Sequence, residues 1–284
     1  MNIGHFSCQQ RVRMAGLLLV FSLGLSACAD HATDTAAVNG GAGGAVQAGQ
    51  PVTLQDVMEN TPERLVGISF DPALKPSAAL AAELSGYAEQ ARTELQQALD
   101  DLGNDKPRFP YELSLGFEQT VATPELIAVS ADGSLYTGGA HGMPLVERFV
   151  WLVGEDRRLT ADELIPRAAS RQSIASYAEA VLLDKLQTRL QAERLEDDLR
   201  REMLDSARSM ISEGTEPISG NFRQFQPVVD AQGRISAIRF VFPPYQVGPY
   251  SDGVQTVDVP VSVILPHVDA RFAHLFAPVA RQGG

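Results

Sequence analysis

The chain has 284 residues, 44% hydrophobic and 20% charged, and its 35 acidic against 23 basic side chains leave a formal net charge of −12. A surface of that sign repels phosphate backbones, so nucleic acid is excluded as a partner, while cationic partners are attracted with a salt-sensitive on-rate. Two cysteines exclude a disulfide-framed scaffold.

Arg11 and Arg13 precede an uncharged apolar run, Met14 to Leu25. That run is shorter than a membrane span and has the length of a signal-peptide core. Leu25-Ser26-Ala27-Cys28 follows and resembles a bacterial lipobox, which implies cleavage after Ala27 and acylation of Cys28. The other reading is an ordinary secretory signal with Cys28 left free. Residues 1–27 are therefore expected to be a lipoprotein signal peptide and Cys28 the lipidation site. Each buried acyl methylene contributes ~0.8 kcal/mol, so several chains hold a protein on a bilayer. Ala29 after the cysteine, rather than Asp, favours the outer membrane and a periplasmic face. Loss of Arg11 and Arg13 makes the remainder two charges more acidic.

Residues 28–55 are rich in Gly, Ala and small polar side chains and read as a flexible tether. Gly40-Gly41-Ala42-Gly43-Gly44 is not a phosphate loop, because no strand precedes it and no Lys-Ser/Thr follows. Leu65 to Phe70 is the first expected strand. Pro76-Ser77 opens a helix whose stripe is Leu80, Leu84, Tyr87, Ala91, Leu95, Ala98 and Leu102, stopped by Gly103-Asn104-Asp105. Residues 111–153 read as antiparallel strands joined by short turns, with Asp132-Gly133 as one of the turns. Thr160 caps a short helix through Leu164.

Ser170 to Ile211 contains neither proline nor glycine and reads as two helices or one bent helix. One stripe is Ile174, Tyr177, Val181, Leu182, Leu186 and Leu190; a second is Leu195, Leu199, Met203 and Met210. Asp197 and Asp198 diverge by ~100° on a helix, so they read as solvated surface rather than a paired acid site. Phe222 to Val229 and Ile235 to Phe242 flank Asp230-Ala231-Gln232-Gly233, a hairpin signature. The prolines and glycines of 243–253 favour an exposed, shaped loop, and Val257 to Leu265 is the last apolar run. The pattern predicts an α+β fold, with antiparallel sheets packed against amphipathic helices.

Three separated segments carry a family resemblance. Tyr136-Thr137-Gly138-Gly139-Ala140-His141-Gly142 resembles a YTGGAH turn, Leu159 to Leu164 is similar to the segment that follows that turn, and Phe240 to Gly253 resembles an aromatic Pro-Tyr segment near the family's end. The family comprises the extracytoplasmic domains of unknown function 4163 and 3298, found together in the ectodomain of the anti-sigma-V factor and beside the catalytic domain of some peptidoglycan deacetylases. The resemblance implies a 4163-like α+β half over 60–155 and a 3298-like half over 156–275. It also implies lysozyme binding, as in the anti-sigma factor. Gln246 and Gly248 stand where the family often has Glu and Ala. No sigma-binding domain, transmembrane helix or deacetylase domain is expected beside these halves.

Of the residues able to do chemistry, His141 is the one candidate general base, since a histidine on a glycine turn can be accessible and titrate near neutral pH. A triad needs an activated nucleophile and none is signposted, so the simpler reading has His141 fixing the turn. His267 and His274 read as core or surface side chains. No zinc spacing, HExxH, CxxC or GxSxG occurs, and neither metal nor cofactor is expected. The expected ligand-binding set is Tyr136, Gly138, Gly139, His141, Tyr245, Tyr250 and Asp252, with Trp151 either a core anchor or a contact. The sequence points to a lipid-anchored envelope protein with a non-catalytic domain that recognises lysozyme-like proteins or peptidoglycan. The alternatives are an envelope hydrolase using His141, and a structural lipoprotein with a protein partner.

Overall fold

Two β-sheets, each packed against helices, organise this chain. The computed structural model describes residues 53–193 and 195–279, so the signal segment, Cys28 and nearly all of the tether lie outside the described residues. The first sheet has six strands in sequence order: β1 (Val57–Asn60), β2 (Arg64–Phe70), β3 (Tyr111–Ala122), β4 (Leu126–Tyr136), β5 (Met143–Leu152) and β6 (Arg157–Arg158). All neighbours are antiparallel except β2 and β3, which run parallel. A parallel pair needs a crossover, and helix α1 (Ala78–Asp100) supplies it.

Helix α1 begins where the Ser77 hydroxyl accepts the Leu80 N–H, and its stripe buries Leu80, Leu84, Ala91 and Leu95 against one face of this sheet. Ala98 and Leu102 are only half-buried at its end. Tyr87 packs edge-on against Phe117 and Phe149 of that face. Strand β1 alternates half-buried and exposed residues, with Met58 pointing to solvent; Glu59 ties it down by pairing with Arg64 and Arg92.

Asp132-Gly133 is not a turn. Strand β4 runs straight through it, with Gly133 opposite Leu115 on β3 and Leu145 on β5. A Cβ at Gly133 would lie 1.9 Å from the Ser114 carbonyl oxygen, so the glycine is there to let two backbones approach.

After β6, Thr160 caps the four-residue helix α2 (Ala161–Leu164) in a reciprocal box with Glu163. Two helices follow, α3 (Ala168–Ala192) and α4 (Asp197–Gly214). The stripe expected on α4 is out of phase: Leu199 and Met203 are exposed, while Leu204, Ala207, Ile211 and Gly214 face inward. Gly214 fixes the rotation, because a Cβ there would sit 2.0 Å from the Gln246 carbonyl oxygen. Asp197 and Asp198 are surface groups, paired with Arg200 and Arg201 one turn on.

The second sheet is antiparallel: β7 (Phe225–Val229), β8 (Ile235–Phe242) and β9 (Gln255–Pro260). The last apolar run divides at Pro260, which ends β9 and opens the short helix α5 (Val261–Ile264). The inner face of this sheet shares a core with α3 and with Leu126, Val150 and Leu152 of the first sheet. Phe240, Phe242 and Phe276, all fully buried, are among its largest members, and each contributes about 1.5–3 kcal/mol of burial. Among the described residues no helix is long and apolar enough to cross a membrane.

Candidate functional site

Strand β4 is reversed into β5 by the residues Thr137 to Gly142, where Gly138 (φ 97°) and Gly139 (φ 101°) adopt a backbone that a side chain disfavours. Tyr136, the last residue of β4, donates its hydroxyl to the Gly139 carbonyl at 3.3 Å and steadies the turn. His141 projects from this loop, exposed.

The second loop leaves β8 at Pro243. Tyr245 is held at φ 72°, a strain of about 1–3 kcal/mol for a bulky residue. Local hydrogen bonds hold it there: Tyr245 N–H to the Gly248 carbonyl (3.0 Å) and Gln246 N–H to the Pro243 carbonyl (3.1 Å). The Gln246 side-chain amide donates to the carbonyls of Gly214 and Asn221, both at 2.9 Å, pinning the loop to the end of α4. An amide donates there in a way that a carboxylate cannot, which accounts for Gln rather than Glu at 246.

The two loops meet. Tyr250 stacks on the His141 ring at 4.0 Å between centroids, with 16° between planes. Tyr245 lies 5.7 Å from Tyr250 and brings its hydroxyl to 2.7 Å from His141 Nε2. His141 Nδ1 is 3.1 Å from the Gly142 carbonyl, which can only accept, so in the neutral ring Nδ1 carries the proton and Nε2 accepts from Tyr245. Tyr245 is 54% exposed. The result is an aromatic platform with polar edges, open to solvent. Among the described residues the imidazole touches no carboxylate, and no group of three His, Cys, Asp or Glu is placed to hold a metal.

Tyr136, Gly138, Gly139, His141, Tyr245 and Tyr250 are thus brought together. Asp252 is not: its carboxylate accepts Arg189 Nη2 of α3 at 2.9 Å and fastens the far end of the loop. Trp151 is a core anchor, buried, with its indole N–H on Asp156 at 3.0 Å. His274 is a surface group 3.5 Å from Glu125.

A groove of about 970 Å³ lies between α1 and β5, with Pro144 and Pro243, neighbours of the two loops, on its rim. Arg158 organises it. Its guanidinium pairs with Glu147, donates to the Arg148 carbonyl at 2.6 Å and lies 4.7 Å over the Phe149 ring. Gln224 donates to the other Glu147 oxygen at 2.8 Å. Burial, aided by Glu147, pushes the Tyr87 phenol up to about 12, so it stays a neutral donor. Five separate segments build this groove, and no motif in the sequence marks it.

Fold and site together define an α+β protein of two sheets with a surface aromatic cluster. Its regions match known families: residues 70–144 match the model described as the deacetylase PdaC, and residues 179–262 match a protein family of unknown function, DUF3298. His141 falls in the first match, and Tyr245 and Tyr250 in the second. The chain is also similar to a DUF3298-family protein from Bacteroides fragilis, with 16% identity over 78% of this chain and 95% of that one and a TM-score of 0.43. A DUF3298-family protein from Pseudomonas aeruginosa gives 16% identity, 81% and 98% coverage, and a TM-score of 0.44. No curated protein matches the chain.

Proposed function

We propose that the protein is a binding module of the cell envelope, held on a membrane through acyl chains on Cys28, and that the His141–Tyr245–Tyr250 platform grips its ligand. One observation carries this reading: His141 is joined to Tyr245, 104 residues further on, by a hydrogen bond and to Tyr250 by a ring stack, and the platform they form is open to solvent. An exposed tyrosine on a strained, well-tethered loop, as Tyr245 is, makes a pre-organised contact, and such anchors dominate recognition. The ligand classes the reading favours are lysozyme-like proteins, which the acidic surface attracts, and peptidoglycan fragments, whose sugar rings stack on aromatic faces. A hydrolase is the weaker reading, because the imidazole is spent on a main-chain carbonyl and a phenol rather than on an oriented nucleophile.

The test is retention of lysozyme and of peptidoglycan fragments by the purified protein at ~0.15 M salt, where attraction between exposed charges is screened beyond ~8 Å. At least one ligand is expected to be retained, and Tyr245→Ala to weaken it by about tenfold, or ~1.4 kcal/mol. Retention of neither sinks the proposal. Cell-wall fragments incubated with the protein and with His141→Ala should give identical product profiles; a product missing from the variant would establish the hydrolase instead.

A further inference from the structure

The outer edge of β5 is only partly paired. Strand β6 covers Trp151 and Leu152 and no more. Beyond it, the Val150 carbonyl accepts the Leu159 N–H at 2.7 Å and the Arg148 carbonyl accepts Arg158 Nη2 at 2.6 Å. Both carbonyls therefore point away from β4. The β4–β5 register runs unshifted from Leu126↔Leu152 to Leu135↔Met143. In such a ladder every second residue turns its peptide groups the same way. The Pro144 carbonyl, both main-chain groups of Val146 and the Arg148 N–H thus face outward, and none has a partner among the described residues. The groove beside α1 occupies this same lane, continuing the line of β6.

We propose that this lane is a docking slot for one extended peptide segment of a partner protein, added to the six-stranded sheet as a strand beside β5. Four unpaired groups along Pro144–Arg148 match a partner of about four or five residues. The walls decide what enters. Ala79, Ala82 and Gly86 of α1 stand on one side, and Arg223 and Pro243 on the other. A single strand needs ~4.8 Å of lane, whereas the edge of a second folded copy would drive its own α1 into these walls. That excludes edge-to-edge pairing of two copies and selects an isolated segment. Pro144 offers no N–H and so ends the slot. Arg223 makes no ion pair among the described residues, so the segment carries an acidic side chain where it passes that guanidinium. The small wall residues of α1 admit an apolar side chain opposite. A glycan would fill the same volume, but it lacks a repeating donor and acceptor in strand register.

The slot is independent of the aromatic platform, and the experiment separates them. In the full-length protein, hydrogen exchange should show the Val146 and Arg148 amides exchanging fast while Leu145 and Glu147, bonded to β4, exchange slowly. The probe is a set of five acetylated, amidated Thr/Val pentapeptides with one aspartate moved through every position. At least one should slow exchange at Val146 and Arg148 below ~1 mM. Methylating its inward backbone nitrogen, or introducing Val146→Pro, should weaken binding by about tenfold. Arg223→Ala should erase the preference for aspartate position, and Tyr245→Ala should change nothing. Slow exchange at Val146 in the free protein overturns the proposal. So does failure of the whole peptide set, equal binding of the methylated peptide, or a chito-oligosaccharide that protects the same amides as strongly.

Discussion

Asp132-Gly133 and Asp230-Ala231-Gln232-Gly233 carry the same local turn chemistry, yet one lies inside a strand and the other makes a hairpin. At 230–233 the Asp230 carboxylate accepts the N–H groups of Gln232 and Arg234, both at 2.9 Å, and Gly233 takes φ 76°. The aspartate is spent on the local backbone and the glycine on a left-handed angle. At 132–133 the Asp132 carboxylate instead reaches Arg148 on the next strand at 2.9 Å, and Gly133 makes room for a neighbouring backbone. The same two residue types answer to local geometry in the hairpin and to tertiary packing in the strand. An Asp-Gly pair flanked on both sides by residues of one alternating pattern belongs to the strand.

The two glycines give the sharpest way to break this contrast. Gly133→Ala puts a methyl into the Ser114 carbonyl, and neither backbone can yield without losing the ladder, so a loss of ~3 kcal/mol is expected in urea unfolding. Gly233→Ala would bring a methyl to 3.3 Å from the Thr123 side-chain methyl, a tight contact to which a side chain yields more readily than a backbone, at a left-handed φ, and should lose only about 1–2 kcal/mol. Equal losses, or the reverse order, would show that Gly133 is not at a close backbone approach. Asp230→Ala comes next: it strands two turn N–H groups that water can reach, and should lose about 1 kcal/mol by the same measurement. No change would mean that the hairpin turn is set by Gly233 alone.

This contrast also marks what a sequence can carry. The stripe and Ser77 start of α1, the Thr160 cap and the 230–233 hairpin were legible because each is decided within a few residues. Both loops of the aromatic platform were legible as loops, from their glycines and prolines. Their meeting was not, because a hydrogen bond between His141 and Tyr245 leaves no local pattern. The phase of α4 is ambiguous in the sequence for a related reason. Leu199-Met203 and Leu204-Ala207-Ile211 both fit helical spacing, and only the contact of Gly214 with the 243–253 loop selects between them. Asp252 shares the loop of Tyr245 and Tyr250, yet Arg189 on α3, far away in sequence, claims its carboxylate.

The smallest effect concerns the cross-strand ion pairs of the two sheets. In the first sheet Arg148 is 8% exposed and its partner Asp132 half-open; in the second, Arg239 and Asp258 are 40% and 43% exposed, paired across β8 and β9 at 2.6 Å. The hydrogen bonds from Arg239, and then its charge, hold the Asp258 carboxyl below the usual carboxylate range. A carboxyl lowered on folding stabilises the native state above its unfolded pKa of about 3.9, and that contribution is lost as pH falls through the lower folded value. Solvent screens a pair this open, so Asp258→Asn should lose at most about 1 kcal/mol at pH 7. The gap in Tm between the protein and the variant should then close as pH falls below ~4, since protonated Asp258 and Asn are both neutral. A gap that stays constant through that range would mean that the variant is destabilised by packing on β9, and that the pair contributes no pH-dependent stability.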